Sequence, residues 1–166
     1  MLTTILEFKA KIGLVLAVLV VGYCLCLWQP ERQVRLHQRH MLDAAQKRDW
    51  GKLNAFLDDG FRTSGGHDKI TALQDLNEVL RPFFALQILD SQTVTTWDGD
   101  AGRVRTILRI DGKGLPLAEM VKSAVNESKE PFVFTWKHAG WKPWDWRLVR
   151  VEHPLIGLAT EHASAF

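Results

Sequence analysis

The sequence predicts an α+β domain: three N-terminal helices packed on a curved antiparallel sheet, a cone-shaped half barrel, preceded by one transmembrane helix. Two observations carry this prediction. The apolar period changes from helical to two after Pro82, and no charged residue occurs from Ile12 to Trp28. Helices followed by an antiparallel meander are typical of the α+β class. We divide the chain into an N-terminal anchor, 1–30, and a folded domain, 31–166.

The composition is that of one ordinary globular domain. The chain has 166 residues, of which 46% are apolar and 24% charged, and its formal net charge is +2. These values exclude a disordered chain, collagen and a polytopic membrane protein, and they give no reason to expect nucleic acid as a partner. Cys24 and Cys26 both precede the folded domain, so neither a disulfide nor thiolate chemistry is expected within it.

The apolar N-terminal run predicts a single-pass anchor in a bacterial-type inner membrane. At ~1.5 Å per residue, a helix from Ile12 to Trp28 nearly crosses a hydrocarbon core of about 30 Å. A cleaved signal peptide is disfavoured because Cys26 to Pro30 offers no small residues before a cut. Basic residues after the run favour an internal domain, whereas the short basic N-terminus favours export. We expect an extracytoplasmic domain.

Three helices are predicted from local signals. Residues 31–48 contain neither Gly nor Pro and place apolar residues at helical intervals. Asp49 and Asp68 are positioned to cap a second and a third helix. A brief strand, Phe61 to Thr63, lies between them.

Four strands are predicted at about 84–97, 102–111, 131–139 and 144–153, with a helical insert at 112–130. We place the even-numbered residues on the inner side. The last two strands then pair with Trp136 opposite Leu148 and Phe134 opposite Arg150. The residues predicted to line an inner ligand pocket are Phe132, Phe134, Trp136, Trp146, Leu148 and Arg150. The insert helix, 116–126, is a candidate lid over this pocket.

Three sequence segments carry a resemblance to a known family. They are Met41 to Leu53 (MLDAAQKRDWGKL), Leu57 to Phe61 (LDDGF) and the final strand Trp146 to His153 (WRLVRVEH). In this order they resemble the nuclear transport factor 2-like superfamily, also called SnoaL-like or cystatin-like cones, over about 34–153. The resemblance implies a bent sheet wrapped around a helix to leave a deep pocket. Such pockets serve isomerases, dehydratases and cyclases, or remain binding and assembly surfaces.

The folded domain lacks a residue that catalysis requires in one enzyme class of that superfamily. Ketosteroid isomerase-like sites need a Tyr donor, yet Tyr23 is the only tyrosine of the chain. A membrane anchor ahead of such a cone also resembles an inner-membrane component of type IV secretion machines. This second likeness is architectural and rests on no secretion motif.

The candidate chemistry is weak. His138, Glu152 and Asp43 are the candidate proton carriers, and Arg150 beside aromatic rings could hold a carboxylate or a planar ligand. Against this, Arg150 and Glu152 can form a structural ion pair at the strand end, which we favour, so the catalytic residues stay unassigned. His37 and His40 lack further metal ligands. We therefore predict no metal and no cofactor.

The odd-numbered sheet face predicts a protein interface. Basic residues surround an apolar centre there, an arrangement that fits a partner surface. The predicted interface residues are Ile107, Val133, Val149, Val151 and Arg105. We therefore expect a homo-oligomer or a subunit of a membrane complex, acting as a non-catalytic ligand-binding or assembly module. The alternatives are a small-molecule isomerase or dehydratase, and a sensor whose pocket binds a small apolar or planar metabolite.

Overall fold

The structure, a computed structural model, describes residues 14–23, 29–142 and 144–156. Three helices precede most of the sheet: α1 (Pro30–Gln46), α2 (Trp50–Phe56) and α3 (Lys69–Leu80), with strand β1 (Leu57–Thr63) between α2 and α3. Both predicted caps are confirmed. The Asp49 carboxylate accepts a hydrogen bond from the Lys52 amide at 3.1 Å, and that of Asp68 from the Thr71 amide at 3.0 Å.

One five-stranded sheet follows, in the order β1-β5-β4-β3-β2. Its remaining strands are β2 (Phe83–Asp98), β3 (Ala101–Gly114), β4 (Phe132–His138) and β5 (Trp146–Glu152). They form the predicted antiparallel meander, and β1 adds to the edge of β5 in parallel. The α+β order of elements is as predicted.

The core lies between α1 and one face of the sheet, which we call the inner face. Val34, Met41 and Leu42 of α1 pack with Val104 of β3 and Trp136 of β4 in one buried cluster. Arg48 connects this layer to α3 and β2. Its φ of 55° lies in the left-handed region, and its guanidinium donates hydrogen bonds to the carbonyls of Leu80, at 3.0 Å, and Phe83. These hydrogen bonds hold the C-terminal end of α1 against α3 and β2.

The insert forms helix α4 (Pro116–Glu127) and packs on the far end of β3. Ala118 is buried against Phe83 and Ile110, and Asn126 exchanges two hydrogen bonds of 2.8 Å with the backbone of Ile110. Leu117 and Met120 are 53% and 68% exposed, so only part of the apolar face of this helix is buried.

The predicted transmembrane helix is wrong for the part of the chain that the structure describes. Across 14–23, 29–142 and 144–156, no helix combines the length and the apolar character needed to cross a membrane. Residues 14–23 are helical and exposed. The rest of the predicted span, 12–13 and 24–28, lies outside the described residues. The expected cellular location and orientation stay predictions.

Candidate functional site

Most of the predicted pocket wall is buried in the core. Phe134 is 4% exposed, Trp136 0%, Trp146 6% and Leu148 2%. All four belong to the same cluster as α1, and Phe132 packs against its edge. The inner face thus brings the predicted aromatic residues together, as side chains in contact with one another and with the helices.

Trp136 is the centre of this packing. Its indole Nε1–H donates a hydrogen bond of 3.0 Å to Oε1 of the buried Gln38. The rings of His37 and Phe56 meet it edge-on, with centroids at 6.0 and 6.3 Å. The Gln38 amide nitrogen has no hydrogen-bond partner among the described residues. A buried Trp with its polar atom satisfied is a structural arrangement.

A β-bulge at Val149 decides which residues of β5 face the core. Trp136 pairs with Leu148 as predicted, but Thr135 pairs with Arg150, so Val149 is an extra residue. Val151 consequently pairs with Phe134 and packs against the core. The predicted pairing of Phe134 with Arg150 is wrong, and so is the outward placement of Val151.

Arg150 and Glu152 lie on the other face, which we call the outer face. Arg150 pairs with Thr135, and Glu152 pairs with Val133, which is partly exposed and outside the core cluster. The Arg150 guanidinium Nε lies 2.8 Å from the Glu152 carboxylate. The predicted inward position of these two charges is therefore wrong, because the bulge reverses the alternation of the strand.

The three candidate proton carriers lie apart. Asp43 is exposed on α1, with its carboxylate 2.8 Å from Lys47 Nζ. His138 pairs with Trp146, and their rings meet edge-on at 5.0 Å. Glu152 lies opposite Val133, at the other end of β4, about 17 Å away at ~3.4 Å per residue. The structure does not bring Asp43, His138 and Glu152 into one site, and their catalytic roles stay a prediction.

The outer face is strongly basic. Its strands carry many more cations than anions, an excess larger than the net charge of +2 of the whole chain. The basic residues are Arg62, Arg103, Arg105, Arg109, Lys113, Lys137, Arg147 and Arg150, and the acidic residues are Asp98, Asp111 and Glu152. Ile107, Val133 and Val149 of the predicted interface lie among them, half-buried and outside the core cluster.

Some of these arginines are neutralised and others are not. Arg103 is 2.9 Å from the Asp98 carboxylate, and Arg147 is 3.4 Å from that of Asp145. Within the described ranges, the exposed Arg105 and Arg109 form no ion pair. These two guanidinium groups are therefore available to an anionic partner.

An open depression of about 370 Å³ borders the outer face. Its lining residues are Ser64, Arg105, Glu130, Pro131, Val133, Glu152, His153 and Pro154. Sequence reasoning predicted Arg105 and Val133 as interface residues and Glu152 as a proton carrier. It missed the others, which come from three separate segments. His153 is the last residue of the segment WRLVRVEH, and its place at the end of a strand was the one feature of the sequence that pointed to it.

His153 holds these segments together. The residue is 3% exposed, and its ring stacks on Phe132 at 3.8 Å. Nδ1 accepts the Leu155 amide hydrogen at 3.1 Å, so the proton of a neutral ring lies on Nε2, which donates to the Glu130 carbonyl at 3.1 Å. Burial lowers the pKa of His153 below its ordinary value, although the bond to Glu130 opposes this effect. Both ring nitrogens are occupied, so the ring is a structural group rather than a free base.

No protein-family model matches the chain, and no curated protein matches it. Solved structures do. A protein of the NTF2-like family from Streptomyces avermitilis, described as a candidate dehydratase, aligns with a TM-score of 0.54 and 15% identity, over 74% of this chain and 93% of that one. The CaMKII hub of S. rosetta aligns with a TM-score of 0.55 and 12% identity, over 73% and 92%.

A third similar structure is Bd1075 of Bdellovibrio bacteriovorus, with a TM-score of 0.53 and 15% identity. The alignment covers 73% of this chain but 39% of that longer protein. Since all three identities are low, the comparisons establish the fold alone. The chain has the NTF2-like fold that its sequence resembles.

Proposed function

We propose that this chain is a non-catalytic binding and assembly module that holds a macromolecular partner on the outer face of its sheet. One observation carries the proposal. The aromatic residues predicted to line an inner pocket are packed into the core, where Phe134 and Trp136 are 4% and 0% exposed. Recognition is therefore assigned to the outer face, where half-buried aliphatic groups and unpaired cations coincide.

The positions of the titratable groups also favour a module over an isomerase or a dehydratase. General acid–base catalysis needs its groups within hydrogen-bond reach of one substrate. Asp43 and Glu152 are each engaged by a neighbouring cation at 2.8 Å, and they lie on different elements of the fold. His138 contacts the ring of Trp146. None of the three is placed to act with another on a common ligand.

The outer face has the composition of a protein interface. Ile107, Val133 and Val149 supply an aliphatic centre, and arginines surround it. Arginine is enriched at protein interfaces, and charged residues there concentrate at the rim. One solved structure with this fold is a hub, which is consistent with an assembly role. The partner is either a second copy of the chain or another protein.

The test is photo-crosslinking of the full chain in the cells that make it. Benzoylphenylalanine replaces Val133 in one variant and Val149 in another. The matched control carries it at Ile70 of α3, an exposed apolar residue outside the sheet. We expect the same defined adduct from both outer-face positions and none from Ile70.

Equal adducts from all three positions, or none from Val133 and Val149, would overturn the proposal. Introducing Val133→Asp in the Val149 crosslinking variant should then abolish the adduct without unfolding the chain, as judged by circular dichroism. An adduct that survives this change would also contradict the outer face as the binding surface.

A further inference from the structure

We infer that the outer face takes an acidic protein segment rather than a second copy of this chain. This inference rests on the proposed function, because it specifies the partner of the same surface. The relevant residues are Arg103, Arg105 and Arg109 of β3, together with the aliphatic residues beside them.

The arginines of β3 repeat with the spacing of an extended chain. Side chains on one face of a strand recur every ~7 Å, so Arg103 and Arg105 are about 7 Å apart and Arg105 and Arg109 about 14 Å. A partner segment with carboxylates on alternate residues has the same repeat. Arg103 is already held by Asp98 at 2.9 Å, which leaves Arg105 and Arg109 as the two groups to be neutralised. A guanidinium binds a carboxylate through two parallel hydrogen bonds.

A second copy is a poor partner for this surface. A two-fold interface places the same patch on both sides, so the basic faces would meet each other. The strands offer few acidic groups in return, and the Glu152 carboxylate is already 2.8 Å from Arg150. Like charges brought together across an interface cost several kcal/mol. The charge of the face therefore selects a partner of opposite sign.

The neighbours of Arg105 favour protein over nucleic acid. Across the strands Arg105 pairs with Val94 and Val133, and Ile107 follows it on the same face. Val94 is 55% exposed. Single-stranded nucleic acid is held by aromatic rings on which bases stack, whereas these neighbours are aliphatic. An acidic segment with aliphatic residues between its carboxylates matches both features.

The open depression beside the outer face offers a place for one side chain of the partner. Arg105 and Val133 line it together with Glu130 and Glu152. Because its walls carry both signs, the depression suits an apolar or basic side chain of the partner. The carboxylates of the partner then lie along β3, toward Arg109. The mixed walls also mean that a purely acidic polymer is a worse fit than an alternating segment.

The test measures binding of a fluorescein-labelled synthetic peptide of alternating Glu and Val to the full chain by fluorescence anisotropy. The outer-face variant is Arg105→Glu with Arg109→Glu. The matched control, Arg32→Glu with Arg39→Glu, makes the same charge change at exposed positions of α1. We expect at least about tenfold weaker binding for the outer-face variant, equivalent to ~1.4 kcal/mol, and about twofold or less for the control. Added salt should weaken binding.

Several results would overturn the inference. An equal loss in the two variants would mean that only bulk charge is sensed. Tighter binding to single-stranded DNA or to anionic vesicles than to the peptide would point to another class of partner. A wild-type dimer in sedimentation velocity that Arg105→Glu with Arg109→Glu abolishes would identify a second copy.

The variant Arg105→Ala with Arg109→Ala, checked by circular dichroism, separates lost binding from lost folding. In the chain with both arginines intact, a crosslink from Val133 and Val149 without any peptide binding would refute the acidic partner alone. Absence of the crosslink in that same chain would refute the proposed function itself.

Discussion

The inner and outer faces of the sheet come from the same strands, yet they place opposite demands on their side chains. On β4, Trp136 is fully buried and hydrogen-bonded to Gln38, while its neighbour Lys137 is exposed. On β3, Val104 is fully buried and Arg105 is exposed without an ion pair among the described residues. Alternation thus separates the residues that stabilise the fold from those on which we propose that a partner binds, and we expect substitutions on one face to have little effect on the other.

The largest expected effect tests the inner face. Trp136→Ala removes a fully buried ring and leaves Gln38 without its donor, so the free energy of unfolding should fall by about 3–5 kcal/mol. Urea denaturation measures this change. Trp141, which is 87% exposed, provides the control, and Trp141→Ala should change stability by about 0.5 kcal/mol or less. Similar losses in the two variants would mean that the inner face is not the source of stability.

An intermediate effect concerns His153, where the two faces meet. Its pKa is lowered in the folded state, mainly by burial, from an ordinary value of 6.5. The unfolded chain therefore binds more protons just below pH 6.5, and the contribution of His153 to stability is full above that pH and lost as the pH falls toward the folded pKa. Urea denaturation at a series of pH values should show this decline. It should be weaker in His153→Gln and unchanged in His40→Gln, a control at an exposed histidine.

A pH profile that is the same in His153→Gln and wild type would contradict this role. Protonation would add a hydrogen to Nδ1, which carries none in the neutral ring. Nδ1 could then no longer accept the hydrogen bond from the Leu155 amide. The Glu130 carbonyl would keep its donor, since Nε2 is protonated in both states. As the pH falls, the contact of His153 with residues 154–156 should therefore weaken before its contact with residues 128–131. Faster hydrogen exchange at the Leu155 amide would detect this loss.

The smallest effect on stability belongs to the outer face. Ile107→Lys with Val149→Lys adds charge at half-buried positions outside the core, and we expect the free energy of unfolding to change by about 0.5 kcal/mol per site or less. Urea denaturation of the double variant, with wild type and Trp136→Ala measured alongside, checks this expectation. A loss of stability comparable with that of Trp136→Ala would show that the two faces are not independent.

The sequence predicted those features that depend on local signals. Asp49 and Asp68 cap their helices because a carboxylate at that position accepts amide hydrogens from the first turn, whatever lies elsewhere. The pairing of Trp136 with Leu148 followed from strand alternation. The depression could not be predicted in this way, because Ser64, Glu130 and His153 meet only through the tertiary fold.

The orientation of Arg150 and Glu152 was predicted wrongly because of a single residue, Val149. The apolar residues of β5 run through Trp146 and Leu148 and then shift to Val149 and Val151. This shift of the apolar residues from even to odd positions is typical of a β-bulge. A bulge at this point predicts that Arg150 and Glu152 lie on the outer face. A fixed parity over the whole strand cannot register such a shift.

The bulge at Val149 gives this sheet a simple mutational handle. Deleting that one residue would place Arg150 directly after Leu148, which restores uninterrupted alternation and leaves Arg150 and Glu152 on the outer face and Val151 on the inner face. Pairing Val149 in regular register, with the residue kept, would instead turn Arg150 and Glu152 inward and Val151 outward. The phase of one strand, and not only its composition, therefore decides whether the interior beside this sheet is apolar or charged.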